Sequence, residues 1–205
     1  MLLKTLFFEN SSLYSSDLQL IEKFWDEIVR QYSKKSRHYH NLEHLENMFN
    51  ELEMVKNQIV AFDLMAFSVF YHDIIYKASS KVNEEKSAEL AVSKLNSFHL
   101  SKEQLAIIEQ QILATKKHQK SGDNDVNLLI DADLSILGAE RNIYKRYTEN
   151  IRKEYSVYPD LLYKPGRKKA LMHFLEFESI FKTEHFRNKY ENQARENIEW
   201  EIGIL

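Results

Sequence analysis

The residues of this chain best suited to chemistry are His40 and His44, the adjacent pair His72-Asp73, and the triplet Asp131-Ala132-Asp133. His72-Asp73 is the most informative of these, because it lies in an almost wholly apolar stretch from Ala61 to Tyr76. An ionised carboxylate buried beside an imidazole is costly unless a strong partner compensates for the lost hydration, and a bound metal ion is such a partner. The chain contains no cysteine, which excludes disulfides, cysteine-ligated zinc and thiol catalysis. Any metal site must therefore use histidine and carboxylate.

Geometry limits how these residues can act together. Neighbours on a helix point about 100 degrees apart, so His72 and Asp73 can share an ion only in the sector between them. Other elements must complete the coordination. Residues two apart diverge by about 200 degrees, so Asp131 and Asp133 are not expected to bind one ion from a regular helix, and one of them reads as a cap or salt-bridge partner. His40 and His44 share a face only if the helix already includes His40, and Asn41 as N-cap would leave His40 outside.

The elements that must position these residues read as helices throughout. Apolar residues recur at helical spacing from Asp17 to Tyr32, with Ser15 or Ser16 as cap, and again from Asn41 to Lys56. Ile59 to Tyr76 is apolar on nearly every side and predicts a central buried helix. Asn83 is read as the N-cap of a helix from Glu84 to Ser97, and Ser101 as the cap of one reaching Lys117. Gln119 to Asp125 reads as a loop, and helix resumes from Val126 to Leu137, ended or bent by Gly138. An amphipathic helix through Tyr144, Tyr147, Ile151 and Tyr155 is stopped by Pro159. Pro165-Gly166 is expected to open a further helix, and a charged last helix runs from Glu184 to Glu201. Tyr144, Tyr147, Tyr155 and Tyr158 are explained by packing at helical spacing.

These motifs resemble the HD superfamily of metal-dependent phosphohydrolases, whose signature is a His, then an adjacent His-Asp, then a distant Asp. The resemblance covers about Arg37 to Gly138. It is carried by His44-Leu-Glu-Asn-Met48, by His72-Asp73, and by Asp131-Ala-Asp-Leu-Ser-Ile-Leu-Gly138. The chain is most similar to small bacterial members with a YHNLEH-like start, a HD-x-x-Y segment followed by NEE-x-SA, and DADLSILG. The resemblance implies an all-α, HD-type helical bundle in a single domain, 1–205. Its metal-binding core would span about 37–138, with C-terminal helices of an extension, about 139–205, packed on it.

The same resemblance implies a divalent ion (Mn, Fe, Co, Ni, Zn or Mg) held by His44, His72, Asp73 and Asp133. It further implies catalytic roles for Glu84, which would orient the attacking water, and for His118 near the substrate phosphate. His118 has the alternative of relieving a helix C-terminus, and Glu84 that of offsetting a helix dipole. His40, Arg37, Arg152 and Arg167 are the candidates for substrate binding, the arginines because their forked donors suit phosphate. The expected activity is metal-dependent hydrolysis of a phosphomonoester or phosphodiester in a phosphorylated small molecule such as a nucleotide. The alternatives are a metal-binding regulatory or interaction module with little turnover, and a di-iron oxygenase.

Composition agrees with this class. Over 205 residues, 43% are hydrophobic, with only four glycines and two prolines, which argues against disorder and against a turn-rich β fold. The net charge of -3, without a polybasic block, gives no footprint for a nucleic-acid polymer or a membrane surface. No stretch reaches the roughly 18 apolar residues of a membrane span, and the apolar N-terminus is interrupted by Glu9 too early for a signal peptide. A cytoplasmic protein, with homo-oligomerisation open, is the expectation.

Overall fold

Local signals and tertiary partners together set the helix boundaries. The computed structural model describes residues 2–205; the reading of the N-terminus as lacking a targeting segment includes Met1, which lies outside them. Among the described residues the chain is all-helical. Its elements are α1 (Leu3–Ser12), α2 (Leu18–Tyr32), α3 (Leu42–Met54), α4 (Phe62–Tyr71), α5 (Asn83–Leu95), α6 (Lys102–Ala114), α7 (Asn124–Leu134), α8 (Arg141–Glu154), α9 (Asp160–Leu175) and α10 (Glu184–Ile204), with 3-10 turns at Lys56–Gln58 and Ser135–Gly138. No described helix is long and apolar enough to cross a membrane.

The centre of the fold is α4, where every residue from Leu64 to Tyr71 is buried. Phe70 meets Phe7 of α1, Trp25 of α2 and Phe49 of α3 at ring separations of 5.1, 6.3 and 4.9 Å. Burying a side chain of this size contributes about 1.5–3 kcal/mol, so the aromatic cluster ties three helices to α4. Sequence reading missed α1, whose Leu3 and Phe7 are spaced to share a face and are both buried. One hydrophobic cluster contains residues from Leu3 to Ile198.

Several boundaries differ from the sequence expectation for identifiable reasons. Asp17, rather than Ser15 or Ser16, caps α2 by accepting from the Leu20 amide at 3.0 Å. Asn83 lies inside α5, its side chain spent on the backbone N–H and C=O of Lys77. α9 starts at Asp160 and carries Pro165 in its interior. The hydrogen bond that Pro165 forfeits would go to Leu161, and that residue is 83% exposed, so water can serve its carbonyl. α4 stops at Tyr71 instead of reaching Tyr76, which puts His72 at its C-terminal cap and Asp73 beyond it.

α7 fastens two other helices through aspartates. Asp125 accepts from the amides of Val60 and Ala61 at the start of α4. Asp131, fully buried, accepts from the amides of Lys182 and Thr183 and from the Thr183 hydroxyl at 2.7–2.8 Å, where α10 begins. α10 then crosses the Ser135–Gly138 turn, and Asn197 donates to the carbonyls of Leu137 and Ala139 at 2.8 Å. A Cβ at Gly138 would lie 2.5 Å from the Tyr190 Cβ and 2.8 Å from its carbonyl oxygen, so only glycine permits this approach. Gly138→Ala is expected to lower stability by about 1–3 kcal/mol in denaturant titration. Gly122→Ala, where a Cβ meets nothing within 4 Å, should stay within about 0.5 kcal/mol of wild type.

Candidate metal centre

Three segments far apart in sequence bring histidine and carboxylate to one point. Asn41 caps α3 by accepting from the Glu43 and His44 amides, which places His44 in the first turn facing inward at 3% exposure. His72 ends α4, and its Nδ1 donates to the Val69 carbonyl at 2.9 Å, leaving Nε2 to face the site. Asp133 projects from the last turn of α7.

His44 Nε2 lies 3.3 Å from His72 Nε2 and 3.3 Å from Asp133 Oδ1, while His72 Nε2 is 3.3 Å from Asp73 Oδ2 and 3.9 Å from Asp133 Oδ1. Donors about 2.1 Å from a shared ion stand about 3.0 Å apart in an octahedron and about 3.4 Å apart in a tetrahedron. The 3.3 Å spacings among His44, His72 and Asp133 are compatible with a shared ion. His44, His72 and Asp133 could hold a metal ion, since their ligand atoms all lie within 4.8 Å of one another; Asp73 adjoins this group through His72.

The electrostatics show what burial demands here. Burial alone pushes imidazoles down and carboxyls up, and His44 is lowered for that reason. For His72 and Asp73 burial opposes charge, but their mutual attraction wins, raising His72 to about 9 and holding Asp73 well below the carboxylate range. Asp133 is likewise held low against burial by hydrogen bonds from His118 and His44. Two desolvated carboxylates thus remain ionised in one site.

A second layer fixes these groups. Glu154, the last residue of α8, accepts from the Tyr39 and His40 amides at 2.8 and 3.0 Å and from His40 Nδ1 at 2.6 Å. This holds His40 stacked on Tyr76, with Nε2 at 3.9 Å from Asp73 Oδ2. His118 Nε2 stands 3.2 Å from Asp133 Oδ2, and its backbone sits at φ 50, a strained region for a residue with a side chain. A cleft of about 240 Å³ joins Asp73, Glu84, His118 and Asp133. Burial, then the Asp73 charge, raises Glu84 above its usual value.

The sequence candidates separate on this geometry. His44, His72 and Asp133 meet, Asp73 adjoins them through His72, and His40, Glu84 and His118 lie around them. The arginines expected to bind substrate do not turn their forks to the cleft. Arg37 is buried and donates to the carbonyls of His40, Asp73 and Ile74 at 2.7–3.1 Å, satisfying the backbone where α4 ends. Arg152 is held by Asp160 and by the carbonyls of Tyr155 and Tyr158, and Arg167 forms a two-pronged pair with Glu201. Glu154 was missed in the sequence, because a glutamate at the end of an amphipathic helix reads as solvated surface.

No protein-family model matches this chain, and comparisons with curated proteins and with solved structures found no match. The roles of the two α7 aspartates are open to direct test. Asp133→Asn should weaken Mn²⁺ binding by more than about 100-fold in isothermal titration, exceeding the effect of removing an outer-shell partner. Asp131→Asn should keep Mn²⁺ binding but lower stability by about 1–3 kcal/mol, because an amide donor then faces backbone donors at the α10 cap.

Proposed function

We propose that this protein is a metal-dependent phosphohydrolase of the HD type, with His44, His72, Asp73 and Asp133 as ligands of one divalent ion. The observation that carries this reading is the meeting of His44, His72 and Asp133, from three separated segments, at spacings that could hold an ion, with Asp73 adjoining them through His72. When bound, a divalent ion supplies Lewis acidity, offsetting charge on a phosphate oxygen and bringing the pKa of water towards about 7.

The chain's own groups have separable tasks. Glu84, on the cleft wall and with its proton affinity raised by burial, accepts the proton of the attacking water. The water oxygen bonds to phosphorus, the bond from phosphorus to the ester oxygen breaks, and the leaving oxygen takes up a proton. His118 orients Asp133 through the oxygen that does not face His44. His40, pinned by Glu154, sets the position of Asp73 and borders the path to the cleft.

The test is hydrolysis of a panel of phosphomonoesters and phosphodiesters by protein loaded separately with Mn²⁺, Fe²⁺, Co²⁺, Ni²⁺, Zn²⁺ or Mg²⁺. Activity is expected with at least one ion and is abolished by chelator. Asp73→Ala should remove it with the helical circular dichroism retained, and Glu84→Gln should lower kcat by about 10²–10⁴-fold. A metal-loaded, folded protein inert on the whole panel would overturn the proposal in favour of a regulatory metal-binding module.

A further inference from the structure

We infer that a second, open cavity between α8 and α9 is the subsite for a neutral planar ring carried by the phosphate ester. This inference rests on the phosphohydrolase reading for what the ring is attached to. The cavity measures about 540 Å³ and is continuous with the metal cleft in its walls, since His40, Tyr147 and Tyr155 line both. A ligand with its phosphate beside Asp73 and Asp133 would therefore extend its remaining part past His40 into this space.

The lining selects the chemistry of that part. Tyr147 and Ile151 of α8 and Tyr155 at its C-cap form one stripe, four residues apart, and Tyr163, Gly166 and Arg167 face it from α9. The Tyr155 ring lies 5.9 Å from that of Tyr163 and 6.3 Å from that of Tyr158, so the wall offers aromatic faces and edges from both sides. The cavity's guanidinium, on Arg167, is bound at Nε and Nη2 by Glu201 at 2.8 and 3.0 Å, which neutralises it. Lys116, near the metal cleft, is paired with Glu85. A neutral ring on a single phosphate fits these walls, and a chain of phosphates does not. At Gly166 a Cβ would meet nothing within 4 Å, so a side chain added there enters open space.

Nucleoside monophosphates and aryl phosphates share this chemistry. The experiment measures binding to the full-length, Mn²⁺-loaded protein by equilibrium dialysis, with adenosine monophosphate, 1-naphthyl phosphate and glycerol phosphate as probes, alongside their turnover. At least one ring-bearing ester should bind about tenfold or more tighter than glycerol phosphate, as stacking on aromatic side chains supplies. Adenosine monophosphate as the tighter ligand identifies the nucleoside source, and 1-naphthyl phosphate the aryl source. Gly166→Trp, and separately Ala170→Trp at the cavity rim, should erase the preference for the ring. Equal binding of ring-bearing and ring-free esters, or a preference untouched in both folded variants, would overturn the inference. Ring-dependent binding without turnover of any probe would uphold the subsite and count against the phosphohydrolase reading instead.

Discussion

The structure depends on keeping two largely buried carboxylates, Asp73 and Asp133, ionised beside one another on the wall of one cleft. Like charges at that range repel, and the desolvation cost of each rises with burial, so the site is stable only where cationic or strongly polarising groups answer both. His72 stands between them, within 3.3 Å of Asp73 Oδ2 and 3.9 Å of Asp133 Oδ1. A protonated imidazole can balance the pair, and a divalent ion satisfies both carboxylates and frees the imidazole nitrogens as ligands. The surrounding fold is organised so that the chain can deliver these groups without leaving its own polar backbone unpaired.

That organisation is clearest at the break after α4. A helix continued through His72-Asp73 would splay the two side chains, whereas ending it at Tyr71 lets Asp73 turn back towards His72. The break exposes carbonyls, and Arg37 takes those of Asp73 and Ile74, with its guanidinium also over the Tyr32 ring at 4.7 Å. Ser87 of α5 serves Ile75 from the other side. α7 plays the matching part, with Asp125 holding the start of α4, Asp131 the start of α10, and Asp133 the site. One short helix thereby sets the position of the metal group relative to the elements that enclose it.

How much of this was legible in the sequence follows from what periodicity encodes. Apolar spacing marked α2, α3, α4 and α8 because packing is repeated over several turns, and His72-Asp73 stood out by type, while His44 and Asp133 were preferred over His40 and Asp131 only through the resemblance. The 200-degree divergence of Asp131 and Asp133 implied that one of them is a cap or salt-bridge partner, and Asp131 caps α10, but geometry could not say which, since that depends on α10 lying against one of them. The break before Asp73, the pairing of Glu154 with His40 across 114 residues, and the burial of Arg37 were invisible for the same reason. Each is a long-range polar contact with no local pattern. The arginines misled because phosphate and backbone carbonyls attract the same fork.

The tyrosines of α8 and α9 show packing and recognition sharing one spacing: Tyr144 is wholly buried and donates to Glu201, whereas Tyr147 and Tyr155 border both cavities. The proposed role of the site turns on whether His44, His72 and Asp133, with Asp73 beside them, hold an ion. The most direct measurement is anomalous diffraction from crystals of the full-length protein soaked in Mn²⁺. The account predicts one peak about 2.0–2.3 Å from His44 Nε2, His72 Nε2 and the facing oxygens of Asp73 and Asp133. A peak elsewhere, or a fully ordered site without one, would contradict it.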